Sequence, residues 1–210
     1  MAQPPGMPRG SSLILGLEVD LPPWVAELGG LDRPYATDEE RMRLAIDLAR
    51  ENVLRKTGGP FGAAVFDSET ATVVGIGVNG VTRLGNSVIH AEMLAIMLAQ
   101  RRIGSYSLAP RSAAHYQLFS TCEPCTMCMG GICWSGITRT VFGATRQDAT
   151  DIGFDEGPLI ANLPIYLSER GITLEGGLLQ AECRSIMDQY AGVIYNGSKL
   201  QQQFDSATET

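Results

Sequence analysis

Residues 120–137 read STCEPCTMCMGGICWSGI, a stretch in which a short apolar segment meets a proline and then a run of small and apolar residues. Pro124 marks the start of a helix, because its fixed backbone angle suits a first helical turn. The pattern predicts a strand over Tyr116–Ser120, a helix that continues over Met127–Trp134, and a second strand over Thr138–Phe142. This unit forms the centre of the predicted fold.

The segments on either side extend the alternation of helices and strands. Thr37 and Glu40 form a capping-box pattern, after which apolar residues recur at helical spacing until Gly58. The predicted upstream elements are a helix after Thr37, antiparallel strands over Phe61–Phe66 and Thr72–Val78, and a buried helix over Ala91–Gln100. The predicted downstream elements are a helix over Leu159–Arg170, an extended segment over Ile172–Leu174, and a helix over Leu178–Tyr190.

This order of elements predicts a layered α/β/α domain with a mixed central sheet, rather than a helix bundle or a β-barrel. Residues 1–35 are rich in Pro and Gly and show no sustained period, so we expect an extended N-terminal arm there. Residues 36–198 form the predicted folded domain, and residues 199–210 form a polar C-terminal tail.

The composition limits the classes of partner and the compartment. The formal net charge is -7, so the sequence as a whole offers no positive field for a nucleic acid, although Arg101, Arg102, Arg139 and Arg146 could form a local groove. Five cysteines, three of them clustered, indicate reduced thiols rather than a secreted disulfide framework. No apolar run has the length of a membrane helix. We therefore expect a cytoplasmic protein that does not bind nucleic acid or membrane.

Cys125 and Cys128 lie at the opening of the predicted helix, one turn apart, where both sulfurs point the same way. The N-terminus of a helix also favours the thiolate that a metal requires. Spacing alone leaves a structural zinc half-site and a redox pair open as alternatives.

His90-Ala91-Glu92 stands at the start of another predicted helix and completes a metal site. A histidine and two cysteines are three zinc ligands that leave a fourth tetrahedral position for water, as in catalytic sites. Zinc acidifies such a water, and Glu92 can then move the protons that a hydrolytic reaction requires. His115, the other histidine, has no partner at ligand spacing, and we expect it in a loop or on the surface.

Cys122 offers an alternative Cys122/Cys125 pair, but Pro124 places Cys125 and Cys128 together on the helix and leaves Cys122 before it. Cys133 and Cys183 lie alone in apolar helices and are expected in the core.

The combination of H-x-E with a later P-C-x-x-C is the known signature of zinc-dependent base deaminases. The chain resembles the cytidine-deaminase-like superfamily, and within it the bacterial guanine deaminase branch, from about Gly59 to Pro158. The motifs GGPFGAAVF, HAEMLAI, STCEPCTMCMGGICWSGI and GFDEGP carry the resemblance. It implies a cytidine-deaminase-like fold, Zn²⁺ as the cofactor, and catalytic Glu92 beside His90, Cys125 and Cys128.

The resemblance also implies residues that contact the base. Asn79 matches a base-binding asparagine, although a turn residue beside Gly80 would have the same pattern. Glu156 in GFDEGP matches a second acidic residue that contacts the ring or its amino group, with Asp155 as the nearby competitor.

The remaining substrate contacts are also implied by the resemblance. Phe61 and Trp134 match aromatic pocket residues, for which core packing is the alternative explanation. Ala91 is expected to contact the base as well. Related proteins are commonly homodimers, sometimes with exchanged C-terminal segments, and Tyr195 is the residue we expect to reach a substrate site.

These observations favour deamination of a free nucleobase, with guanine first and aminotriazines such as ammeline as related substrates. A tRNA adenosine deaminase and a cytosine or cytidine deaminase share the same zinc signature. A zinc-stabilised binding module without activity is a further alternative, although a structural site would not need Glu92 beside its metal.

Overall fold

The computed structural model describes residues 16–109, 115–158 and 160–196. The described helices are α1 (Asp38–Leu54), α2 (Val81–Leu84), α3 (Ala91–Ile103), α4 (Thr126–Ser135), α5 (Arg146–Asp151), α6 (Leu163–Glu169) and α7 (Gln180–Asp188). The described strands are β1 (Gly62–Asp67), β2 (Val73–Val78), β3 (Tyr116–Cys122), β4 (Arg139–Ala144) and β5 (Thr173–Glu175).

The five described strands form one sheet in the order β2-β1-β3-β4-β5. β1 pairs antiparallel with β2 and with β3, whereas β3, β4 and β5 are parallel. In the register of the sheet, Ala63 of β1 lies opposite both Gly77 of β2 and Ser120 of β3. The prediction of a mixed central sheet is confirmed.

Helices cover both faces of this sheet. A Cβ on Gly62 would lie 2.3 Å from the carbonyl oxygen of Ala45 in α1, so α1 packs directly on that face. A Cβ on Gly77 would lie 2.0 Å from the carbonyl oxygen of Ala91 in α3. Gly77 pairs with Ala63, the neighbour of Gly62, and successive residues of a strand point to opposite faces. The layered α/β/α fold is therefore confirmed.

The predicted capping box begins α1. The hydroxyl of Thr37 accepts a hydrogen bond from the backbone N–H of Glu40 at 3.2 Å, and the Glu40 carboxylate accepts one from the N–H of Thr37 at 3.1 Å. A second capping box, between Thr145 and Asp148, begins α5, a helix that the apolar pattern does not predict. α5 has only six residues, and its beginning is recognisable from the capping residues rather than from periodicity.

The segment before α1 is not extended throughout. Residues Pro23–Glu27 form a 3-10 helix whose Trp24 and Val25 are buried in the core. The indole N–H of Trp24 donates to the hydroxyl of Thr57 at 3.0 Å, and the N–H of Tyr35 donates to the carbonyl of Ala71. The prediction of an extended arm is wrong for this part, because two large apolar side chains anchor it. Residues 1–15 and the predicted tail at 199–210 lie outside the described residues.

The two helices predicted after β4 are shorter than predicted, whereas β5 has the predicted length and is shifted by one residue. α7 ends at Asp188, and the chain then turns through residues 189–196 rather than continuing as a helix. No helix in the described parts of the chain is long and apolar enough to cross a membrane.

Candidate active site

The N-termini of α3 and α4 meet at the carboxyl-terminal end of β3. His90 is the residue that caps α3, Cys125 caps α4, and Cys128 lies in the first turn of α4. The close contact between Gly77 and α3 sets where α3 begins, because any side chain at Gly77 would collide with the backbone of Ala91. Two helix openings with their free N–H groups therefore point into one space.

Three donor atoms in this space have the geometry of a tetrahedral metal site. His90 Nδ1 lies 3.6 Å from Cys125 Sγ and 3.6 Å from Cys128 Sγ, and the three donor atoms all lie within 4.8 Å of one another. A tetrahedral zinc ion with bonds of about 2.05 Å to nitrogen and about 2.3 Å to sulfur separates these atoms by about 3.6 Å. The residues thus fit Zn²⁺, with one coordination position left for a non-protein ligand.

The protonation of the cysteines also suits a metal. A hydrogen bond from Cys128 and a second one from His90 lower the pKa of Cys125 to about 4, against the opposing effect of burial. The position of Cys125 at a helix N-terminus acts in the same direction. One thiolate is therefore available at neutral pH before any metal binds.

Glu92 lies two residues after His90 and is 5% exposed. Its Oε1 accepts a hydrogen bond from the Ser120 hydroxyl at 3.1 Å, and its Oε2 faces Cys128 Sγ at 3.5 Å. Burial raises the pKa of Glu92, and the negative charge of Cys125 adds to the increase. A buried carboxyl with a raised pKa beside a metal site is suited to take up and release protons.

A cavity of about 10 Å³ lies beside the metal donors. Its lining includes eight of the residues predicted from the sequence: Phe61, Asn79, His90, Ala91, Glu92, Cys125, Glu156 and Tyr195. Cys128, the remaining predicted zinc ligand, lies directly behind them against His90.

Glu156, rather than Asp155, faces this cavity. Asp155 is exposed, and its carboxylate accepts a hydrogen bond from the N–H of Gly157 at 2.8 Å. Glu156 is buried, and burial together with the nearby charges of Cys125 and Glu92 raises its pKa to about 7. Its carboxyl is therefore half protonated near neutral pH.

Asn79 lies at the end of β2 and is 1% exposed. Its Oδ1 accepts from the backbone N–H groups of Gly59 and Val81 at 3.3 Å and 3.4 Å. Its Nδ2 therefore points away from the backbone and donates to the Tyr195 hydroxyl at 2.6 Å. Tyr195 lies in the pocket of its own chain, where its ring also packs edge-on against Phe154.

Trp134 does not line this cavity. Within a single chain, the prediction that Trp134 is a pocket residue is therefore corrected. Its side chain is 88% exposed. Trp134 follows Cys128 by six positions on α4, which rotates it by about 240° around the helix and away from the metal site.

Sequence reasoning did not assign a role to Ser120, Glu123 or Phe154 at this site. Ser120 contacts Glu92, Glu123 lines the cavity, and Phe154 packs edge-on against Phe61 at a centroid distance of 5.0 Å. The alternation of β3 places Ser120 on the face of α3, so it could have been found once the strand was assigned.

Cys122 and His115 are not part of the donor group. The Cys122 thiol donates to the carbonyl of Thr145 at 3.8 Å, and burial raises its pKa well above the usual value. His115 is exposed and engages Ser68 through its backbone. Cys122 nonetheless lines the cavity beside the metal donors.

A layered α/β/α fold that carries a His/Cys/Cys zinc site beside a buried glutamate is the arrangement of zinc-dependent hydrolytic deaminases. Residues 35–144 match the model of the cytidine and deoxycytidylate deaminase zinc-binding region, and the chain belongs to this family. The predictions of the superfamily and of zinc as the cofactor are thereby confirmed.

Several proteins of this family are similar over most of the chain. Guanine deaminase of Bacillus subtilis (strain 168) is 33% identical over 134 residues, which are 64% of this chain and 81% of that protein. The solved structure of guanine deaminase from Nitrosomonas europaea is 35% identical with a TM-score of 0.79, and the match covers 85% of this chain and 98% of that one. A tRNA-specific adenosine deaminase of Streptococcus pyogenes serotype M1 is 30% identical over 162 residues, which are 75% of this chain and 86% of that protein.

Proposed function

We propose that this zinc-dependent nucleobase deaminase converts free guanine to xanthine and ammonia. The observation that carries the proposal is that the Asn79 amide and the Glu156 carboxyl face the same cavity as the metal donors and Glu92. An amide and a carboxyl can together satisfy the donors and acceptors on the edge of a purine. Solved homologues bound to 2,6-diaminopurine and to 8-azaguanine support this choice, and aminotriazines such as ammeline present a similar edge.

Each side chain then has a distinct task in the reaction. His90, Cys125 and Cys128 would hold the zinc ion, which when bound would supply an acidified water as the nucleophile. Glu92 would take one proton from this water and give it to a ring nitrogen, and would then take the proton of the added hydroxyl group and give it to the departing amino group. Glu156, a buried carboxyl that lines the same cavity, holds a proton for the ring or for the amino group. A carbon–oxygen bond forms, the carbon–nitrogen bond breaks, and ammonia leaves.

Binding of a base requires Tyr195 to move. The cavity of about 10 Å³ holds one water molecule and is far smaller than a nucleobase. The Tyr195 hydroxyl also takes the hydrogen bond from Asn79 Nδ2 that we propose for the substrate. The aromatic rings of Phe61 and Tyr195 then flank the flat base, and Ala91 contacts it through its backbone.

The distribution of arginines supports a free base rather than tRNA as the substrate. Arg101 and Arg102 lie in the last turn of α3, about 17 Å along the helix from His90. Arg139 is held by the carboxylates of Asp38 and Glu175, both at 2.6 Å. Among Arg101, Arg102, Arg139 and Arg146, only Arg146 lies beside the pocket, where its guanidinium donates to the carbonyl of Gly157 at 2.7 Å. These four arginines therefore do not together form the positive groove that a polynucleotide would need there.

We also propose a homodimer whose interface includes the exposed apolar side chains around Trp134. Cys133, Trp134, Ile160 and Tyr166 line one surface groove of about 310 Å³, and Trp134 alone leaves 88% of its surface exposed. Because Tyr195 already contacts Asn79 within one chain, this dimer does not require exchange of C-terminal segments. Trp134→Lys should shift the mass measured by light scattering from dimer to monomer, whereas an unchanged mass would contradict this interface.

The folded domain at 36–198, together with the 3-10 helix packed against it, is the proposed catalytic unit. The cytoplasm is its proposed location, because two of the three zinc ligands are free thiols that a reducing compartment preserves.

Ammonia release tests the substrate. Zinc-loaded protein should release ammonia from guanine, and more slowly from ammeline, but not from adenine, cytosine, their nucleosides or tRNA. If ammonia is released only from tRNA or from nucleosides, guanine is not the substrate and the proposal is refuted.

A further inference from the structure

A continuous series of hydrogen bonds, part-buried at Thr57 and buried at Asn52, connects the segment before α1 to the side chain of Asn79. The indole N–H of Trp24 donates to the hydroxyl of Thr57 at 3.0 Å. The same hydroxyl donates to Oδ1 of Asn52 at 2.7 Å. Trp24 and Asn52 are buried, and Asn52 is 0% exposed. The series thus starts in residues that the sequence pattern assigns to an arm and reaches the substrate pocket.

The Thr57 hydroxyl determines which way the Asn52 amide faces. With Oδ1 occupied by Thr57, Nδ2 of Asn52 donates to the carbonyl oxygen of Gly59 at 2.9 Å and to that of Asn79 at 3.0 Å. The reverse orientation would place an oxygen against two carbonyl oxygens. Every hydrogen-bonding atom of this buried amide is therefore engaged.

The two hydrogen bonds from Asn52 Nδ2 fix the distance between the carbonyl oxygens of Gly59 and Asn79. Gly59 in turn donates its N–H to Oδ1 of Asn79, which leaves Nδ2 of Asn79 directed at the pocket. Gly58 permits this approach, since a Cβ there would lie 1.8 Å from the Asn79 carbonyl oxygen. A shift of Gly59 would therefore reorient the amide that we propose to bind the base.

We propose that Trp24, Thr57 and Asn52 are positioning residues for Asn79, so that the segment before α1 takes part in substrate binding. The inference rests on one part of the proposed function, namely that Asn79 contacts the base. None of the three side chains lines the cavity, so their effect on catalysis passes through Asn79. Substrate affinity, rather than the chemical step or the zinc content, is the property that they control.

Thr57→Val is the main test, because it removes the hydroxyl and keeps the shape of the side chain. We expect KM for guanine to rise about 5- to 30-fold, as expected for a disrupted buried network, with kcat changed less than about 3-fold. The dissociation constant of 8-azaguanine, measured in the inactive Glu92→Gln background, should rise by the same factor. Thr57→Ser retains the hydroxyl and should restore KM to about the wild-type value.

Thr140→Val is the matched control. The Thr140 hydroxyl is buried in β4 without a hydrogen-bond partner among the described residues, so its removal should leave KM unchanged. Trp24→Phe, which removes only the indole N–H, should raise KM in the same direction as Thr57→Val. Zinc content and the midpoint of thermal unfolding are measured for each variant to identify any that do not fold.

A double-mutant cycle with Asn79→Ala separates positioning from a general structural effect. If Thr57 acts through Asn79, Thr57→Val should not raise the dissociation constant further once the Asn79 amide is gone. An equal increase in both backgrounds, or an unchanged KM in Thr57→Val and Trp24→Phe, would overturn the inference.

Failure of the substrate proposal gives a different result. Wild-type protein that releases no ammonia from guanine refutes guanine as the substrate. The same variants are then compared on the base that the protein does deaminate, where an unchanged KM overturns the positioning role.

Discussion

Glu92 and the zinc ligands make separable contributions at the scale of single residues. Glu92→Gln keeps the side-chain shape but cannot move protons, so turnover should fall by about 10²- to 10⁴-fold while zinc content stays near one equivalent. Cys125→Ala removes a ligand and should lose both zinc and turnover. Zinc content by atomic absorption and ammonia release check the pair. Cys133→Ala, on the same helix but outside the donor group, is the control and should retain both properties.

Glu156 should give the zinc-free protein a measurable pH dependence of stability. Its pKa is about 7 in the folded protein against 4.5 for an ordinary glutamate, so the folded state holds the proton more tightly. The resulting stabilisation is complete below pH 4.5 and is lost as the pH rises through 7. Relative to Glu156→Gln, the free energy of unfolding should fall by about 3 kcal/mol over this range. Urea unfolding at pH 5 and pH 8 tests this, and parallel pH dependences in the two proteins would contradict it.

The residues of the metal site were accessible to sequence reasoning because their chemistry is local. His90 and Glu92 are two positions apart, Cys125 and Cys128 are three apart, and each pair lies at one helix opening. Ser120 and Phe154 have no such local signature, since their importance depends on contacts made across the sheet and between loops.

At the scale of elements, the position of α3 on the sheet controls the metal site. Gly77→Ala places a methyl group 2.0 Å from the Ala91 carbonyl, and α3 must move to accommodate it. We expect a loss of about 1–3 kcal/mol in stability and weaker zinc binding, because His90 moves with the start of α3. Gly130→Ala in α4 meets no atom within 4 Å and should be neutral or stabilising. Equal zinc affinity in both variants would show that α3 tolerates the shift.

The elements themselves were predictable where hydrophobic periodicity is sustained. α1, α3 and the strands β1 to β4 occur close to their predicted bounds. α2 and α5 were not predicted, because helices of four and six residues are too short for a periodic pattern. The 3-10 helix at Pro23–Glu27 was missed since Trp24 owes its burial to Thr57 and the core, which are distant in the sequence.

At the scale of the whole molecule, zinc should stabilise a fold that exists without it. Glu92 and the three donor residues lie at the end of two helices, whereas the core formed by α1, α3 and the sheet is built from buried apolar side chains that do not involve the metal. The donors come from positions 35 and 38 residues apart in the chain, so the ion joins the starts of two helices, α3 and α4, that already pack against each other. Removal of zinc should therefore lower the melting temperature without unfolding the protein.

The size of this effect follows from mass action. An ion that binds only the folded state stabilises it by about 4 kcal/mol when its free concentration is about 1,000 times the dissociation constant. Treatment with a chelator should lower the melting temperature by several degrees and leave the far-ultraviolet circular dichroism unchanged, and added zinc should restore both the melting temperature and the turnover. Complete loss of the circular dichroism signal on chelation would mean that the metal, rather than the apolar core, determines whether the chain folds. The Cys125→Ala variant separates these outcomes, because it should melt at the temperature of the zinc-free protein and should not respond to zinc.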